Sequence, residues 1–179
     1  MFSWLAKLFS KKNDSLAEII AKAVESKIGT REEGGENKGK DLQPFFDSDW
    51  YDPNGSKAGD DGYAWCAAFV CWAVKEASSK IDIAFSLPRT PRAWGFEDWA
   101  KAQGEKVDLK KPHLGDINRG DIVIFKFSHI GVAVSDLDSS EFFSTVEGNT
   151  NSKGSREGDG VYRKLRHASE IRSRIRLLS

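Results

Sequence analysis

Cys66, His129 and Glu147 are the residues of this chain whose types and surroundings suit acyl transfer. Cys66 stands in the run Trp65-Cys66-Ala67-Ala68-Phe69-Val70, whose apolar character predicts the first turn of a buried helix. Unpaired N–H groups and the positive end of the macrodipole there favour a thiolate, the nucleophilic form of cysteine. The competing reading is a small apolar core residue, and that fits Cys71 better. Five helical residues turn Cys71 about 140° from Cys66 and raise it by about 7.5 Å, so one thiol can face a cleft while the other is buried. The same separation fits a disulfide poorly, and both cysteines read as free thiols.

A nucleophilic thiol needs a base, and the chain has three histidines. His113 follows Pro112 in a polar loop and His167 lies in a basic stretch, which marks both as solvated. His129 follows a tight turn at Ser128 and opens a strand in which Gly131 and Ala133 share its face. Small residues there would let the Cys66 helix come close. The base in turn needs an acceptor to fix its tautomer. Glu147 and Asn149 are two apart in a strand-like run, so they are predicted on one side of it with Phe143 and Thr145. The alternative is that both merely begin a polar loop.

These residues need helices first and strands afterwards. Ser15 and Glu18 form a capping-box pattern ahead of Leu16, Ile19, Ile20, Ala23, Val24 and Ile28, a helical stripe that stops at Gly29. Residues 30–62 are polar and Gly-rich and read as one long irregular segment. The cysteine helix is predicted from Asp61 or Gly62, and a third helix from Thr90 as N-cap and Pro91 as first residue to Gly104. Strands are predicted over 122–127, 130–135, 142–150, 161–165 and 171–177. The order implies an α+β fold, with N-terminal helices packed on a C-terminal antiparallel sheet.

The 179 residues suit one domain, with 39% apolar residues to build its core. Lysine plus arginine number 27, as do aspartate plus glutamate, so bulk charge gives no ground for a nucleic-acid partner. No stretch approaches the roughly 20 apolar residues of a membrane span. Residues 1–14 read as a short amphipathic tail, with Leu5, Leu8 and Phe9 on one face, which touches a membrane or partner or, the favoured reading, docks on its own domain. Lys7, Lys11 and Lys12 interrupt or close its apolar run, so no Sec signal is read.

In order along the chain, Trp65 to Val70, Gly120-Asp121-Ile122-Val123, Ser128-His129-Ile130-Gly131-Val132 and Glu147-Gly148-Asn149 resemble the CHAP family of cysteine, histidine-dependent amidohydrolases and peptidases. The resemblance covers roughly residues 15–178 and implies one catalytic domain over 15–179, of papain-like fold, that cuts an amide bond of peptidoglycan. It implies Cys66 as nucleophile, His129 as base, Glu147 as orienting acid and Asn149 as a supporting polar residue. The segment from Glu32 to Gly39 resembles the family's Gly-rich stretch and would wall the cleft, with Gly35, Asn37, Tyr63 and Trp65 as substrate contacts. The oxyanion would be held by the Cys66 N–H and a second donor, for which Tyr63 and Gln43 are the guesses.

No cofactor is expected. Asp47, Asp49, Asp52, Asn54, Asp60 and Asp61 form an acidic loop where some CHAP domains bind calcium, but the spacing is not that of an EF-hand and solvation is the favoured reading. Cys66, Cys71 and His129 lack zinc-site spacing. Arg163, Lys164, Arg166, Arg172, Arg174 and Arg176 stand against Glu170 alone, and the last three alternate along a strand. They read as a solvated sheet edge in preference to a site for wall polyanions or an acidic partner. Without a Sec signal, the protein would leave the bacterial cytoplasm by lysis or specialised secretion and act at the cell wall, and an interbacterial effector would need an immunity or inhibitor protein. The rival functions are a cysteine-dependent protease or acyltransferase with a non-wall substrate, and a non-catalytic wall-binding module.

Overall fold

The computed structural model describes residues 14–34, 37–49, 63–111 and 116–178. The N-terminal tail, Gly35, His113 and most of the acidic loop lie outside the described residues. Among the described residues, four helices and a six-stranded antiparallel sheet make the chain α+β.

Helix α1 (Leu16–Glu25) is capped as its sequence predicts, Ser15 Oγ accepting from the Glu18 N–H at 3.3 Å. The second half of the capping box is missing. Glu18 turns to Arg119 (2.8 Å), which also takes Glu25 (2.7 Å) and so ties the first and last turns of α1 to the segment that leads into the sheet. The helix docks on Gly120, where a Cβ would lie 2.5 Å from the Ala17 Cα. Predicted irregular, residues 30–62 instead contain a single 3-10 turn (Lys40–Leu42) and helix α2 (Gln43–Asp49). Pro44 in its first turn is compatible with a helix start, and Phe45 and Phe46 supply the buried face that a Gly-rich reading overlooks.

Helix α3 (Cys66–Ser78) is buried along most of its length. It begins at Cys66, several residues later than predicted, because Tyr63, Ala64 and Trp65 stay outside it. Phe45 packs against Trp65, Phe69 and Trp72 at centroid distances of 5.6, 5.0 and 5.2 Å, which joins α2 to α3. Helix α4 (Gly95–Ala102) also starts later than predicted. Thr90 is not its cap but closes a turn onto the Arg92 N–H (3.2 Å), and Trp94 precedes the helix.

The strands are β1 (Val107–Lys110), β2 (Ile122–Phe125), β3 (Ile130–Ala133), β4 (Phe142–Thr150), β5 (Gly160–His167) and β6 (Ile171–Leu177), in the order β1-β6-β2-β3-β4-β5. One apolar cluster fills the space between the sheet and the helices, and a smaller one around Val123, Phe125, Ala133 and Phe143 gathers separately.

The reading of a solvated basic edge is overturned for β6, which lies inside the sheet between β1 and β2. Arg174 is 3% exposed and pairs with Asp108 (3.0 Å) and Asp116 (3.2 Å). Arg176 takes Asp121 (2.8 Å), and Arg172 takes Glu97 of α4 (3.0 Å). A buried guanidinium must be paired, and each finds its carboxylate on another segment that the linear pattern does not reveal.

Candidate active site

Cys66 is the first residue of α3, where the leading N–H groups have no acceptor within the helix. Trp65 fixes that start. Its indole is fully buried and donates Nε1–H to Glu32 Oε1 at 3.0 Å. This corrects the expectation that Trp65 touches substrate, since a ring facing the core is not available to a ligand. Cys66 itself is 6% exposed, and both cysteines are free thiols.

His129 is delivered by the β2–β3 hairpin. Ser128 takes a left-handed φ of 61° and donates its N–H to Phe125 O (3.3 Å), while the Phe125 N–H bonds back to His129 O (2.9 Å). The fully buried imidazole stacks beside Phe125 and Phe127, at centroid distances of 6.2 and 6.0 Å. Its Nε2 is 3.1 Å from Glu147 Oε2. The approach lies off the line of a well-formed hydrogen bond, so it acts chiefly as a contact between charges.

Glu147 is fully buried on β4, and its carboxylate is saturated. Arg166 grips it with two bonds, Nε to Oε1 (2.8 Å) and Nη2 to Oε2 (2.6 Å), and Thr145 Oγ1 donates to Oε1 (2.5 Å). Burial alone would raise this acid, but Arg166 and then His129 outweigh it and bring the carboxyl down to about 2. Burial likewise opposes the charged imidazole, yet the Cys66 sulfur and the Glu147 carboxylate raise His129 to about 9. Sulfur, imidazole and carboxylate therefore act on one another in series, with His129 between Cys66 and Glu147.

Two glycines, Gly131 and Gly148, allow this convergence, and the first serves a purpose other than the one expected. Gly131 and Ala133 do not admit the cysteine helix. Glu147 fills the space over Gly131, and Ala133 belongs to the smaller apolar cluster. The residue that admits α3 is Gly148, where a Cβ would lie 2.6 Å from Trp65 Cζ3 and 2.8 Å from Phe69 Cβ.

Asn149 does not share the side of Glu147. The β4–β5 pairing shifts register between Glu147 and Thr150, and Asn149 takes a left-handed φ of 54°, which breaks the period of two. With its amide turned to satisfy its neighbours, the nitrogen donates to Asn37 Oδ1 (3.1 Å) and Gly158 O (2.9 Å), and the oxygen accepts the Trp65 N–H (3.2 Å). Asn149 thus holds the start of α3 and not the imidazole. Beside it, Glu32, Asn37, Ala64, Glu157 and Gly158 help to line a pocket of about 340 Å³. Tyr63 is half-buried edge-on against Phe46 (5.0 Å), and Gln43 donates to Asp47 (2.8 Å).

Sequence reasoning missed Arg166, Glu32 and Gly148. The available signal for Arg166 was the buried carboxylate itself: an acid in an apolar strand requires a cation.

Residues 58–149 match the family model described as CHAP domain, a span that contains Cys66, His129, Glu147 and Asn149. No curated protein matches the chain.

Proposed function

The chain belongs to the CHAP domain family, and we propose that it is a cysteine hydrolase cutting an amide bond of peptidoglycan, with residues 15–179 as the catalytic unit. The observation that carries this reading is the buried His129, 3.1 Å from the Glu147 carboxylate on one side and acted on by the Cys66 sulfur. A thiol at a helix start meeting a strand histidine is also the ground for reading the fold as papain-like.

The Cys66 thiolate attacks the amide carbonyl carbon. The oxyanion that forms is met by the Cys66 N–H, which as the first residue of α3 has no acceptor within the helix. His129, already protonated, gives its proton to the departing amine as the C–N bond breaks, then takes one from the water that hydrolyses the thioester. Glu147 holds the ring and balances its charge through both steps. The substrate lies at the cell wall, and among the described residues no helix is long and apolar enough to cross a membrane.

Incubating the protein with purified sacculi tests the reading, with mass spectrometry of the released fragments. Muropeptides that disappear with Cys66→Ala are expected, and the newly formed termini distinguish a muramoyl-alanine amidase from a peptide endopeptidase. Intact sacculi, or release that survives Cys66→Ala, would overturn it.

A further inference from the structure

We propose that Arg166 is a fourth member of this site, a positioning residue that clamps Glu147 and offsets its charge so that His129 remains able to release a proton. The inference rests on the hydrolase reading above and extends it to a residue outside the span matched by the family model.

A carboxylate has about four lone-pair positions, and here three take hydrogen bonds while the remaining side faces His129. Oε1 receives Arg166 Nε and the Thr145 hydroxyl, and Oε2 receives Arg166 Nη2 and faces His129. Only one orientation of Glu147 satisfies all four, so the clamp aims Oε2 at the imidazole. Arg166 is itself fixed. It is 7% exposed, its guanidinium lies 5.0 and 5.1 Å from the Phe125 and Phe127 ring centroids, and Nη1 reaches Glu170 at 3.2 Å. Those two phenyl rings also stack beside His129, so one aromatic pair lines both the base and the clamp.

The titratable groups facing His129 among the described residues are Cys66 from α3 and Glu147 from β4, with Arg166 of β5 behind the carboxylate and Glu170 behind Arg166. An uncompensated carboxylate beside an imidazole in a dry site favours imidazolium strongly. Such a histidine binds its proton too tightly to hand it to an amine. A guanidinium spread over both carboxylate oxygens reduces that hold. Lysine supplies the charge without the fork, so it cannot engage both oxygens in one plane.

The test titrates the His129 ring by NMR in the full-length native protein, in Arg166→Met and in Arg166→Lys, with circular dichroism to verify folding and turnover measured on sacculi. Arg166→Met is expected to move the His129 midpoint up by about one pH unit and to lower kcat with it. Arg166→Lys is expected to keep the native midpoint while kcat falls by about tenfold or more, because Glu147 is no longer aimed. A folded Arg166→Met protein with an unmoved midpoint overturns the proposal, as does Arg166→Lys with native kcat. If Arg166→Met does not fold, the lysine variant decides alone. Should the native protein prove inert on sacculi, the hydrolase reading fails while the His129 midpoints still report on the clamp.

Discussion

Gly131 and Glu147 are neighbours across β3 and β4, and the absent side chain of the first is what gives the second its path to His129. A Cβ at position 131 would lie 2.6 Å from Glu147 Cγ, inside any tolerable contact. Gly131→Ala is therefore expected to displace the carboxylate, lower turnover by about tenfold or more and destabilise the fold by about 1–3 kcal/mol. Steady-state assays on sacculi and urea denaturation check the two effects. Native turnover in the variant would show that Glu147 reaches the ring by another route.

Glu147→Gln keeps the shape of the side chain and removes its charge. Arg166 is then left buried without its main counterion, facing only Glu170. Breaking one side of a buried pair costs about 3–5 kcal/mol, which denaturant unfolding reads directly. The His129 midpoint is expected to fall, since the carboxylate that helps to raise it is gone.

Stability should depend on pH in two limbs. Glu147, lowered from 4.5 to about 2, contributes stability that is complete above its ordinary value and is lost as pH falls through the lower one. His129, raised from 6.5 to about 9, contributes stability that is complete below 6.5 and is lost as pH rises through 9. The unfolding free energy is expected to be greatest between these windows and to decline on both sides, by on the order of 1–3 kcal/mol for each group. Urea midpoints at a series of pH values measure it, and a level profile from pH 6.5 to 9 would contradict the charged arrangement.

Among the arginines, position in the sheet should decide the cost of removal. Arg174→Ala strips three acidic neighbours of a cation that is 3% exposed, so a loss of about 3–5 kcal/mol is expected. Arg156 pairs with Glu157 in solvent, and Arg156→Ala is expected to change stability by less than about 1 kcal/mol. Equal effects in thermal unfolding would mean that the β6 network is not stabilising.

Cys66, His129 and Glu147, which the structure brings together, were legible as candidates because each sits in a local pattern: an apolar helix start, a tight turn into a strand, a strand-like run. Helix α1 and the extents of β4 and β6 were readable by the same means. What escaped depends on distant partners. Helix α2 was hidden because Pro44 and the surrounding glycines mimic a loop, and only packing of Phe45 on α3 shows why it is helical. Strand β1 is short and half polar, and its pairing with β6 makes it a strand. The Asn149 side chain was misdirected by a register shift that simple alternation does not foresee. Arg166 looked like one more solvent-facing cation until β5 placed it against Glu147.

The position of β6 has a further consequence for how the molecule assembles. Among the described residues it follows the other five strands in sequence, yet it lies between β1 and β2 in the ladder and pairs with both. Until β6 inserts, β1 has no strand to bond and the carboxylates of Asp108, Asp116 and Asp121 lack the guanidiniums of Arg174 and Arg176. Closing contacts between segments so far apart in sequence is slow. Strand β6 thus acts as a keystone, and the sheet becomes one continuous unit only when it is in place.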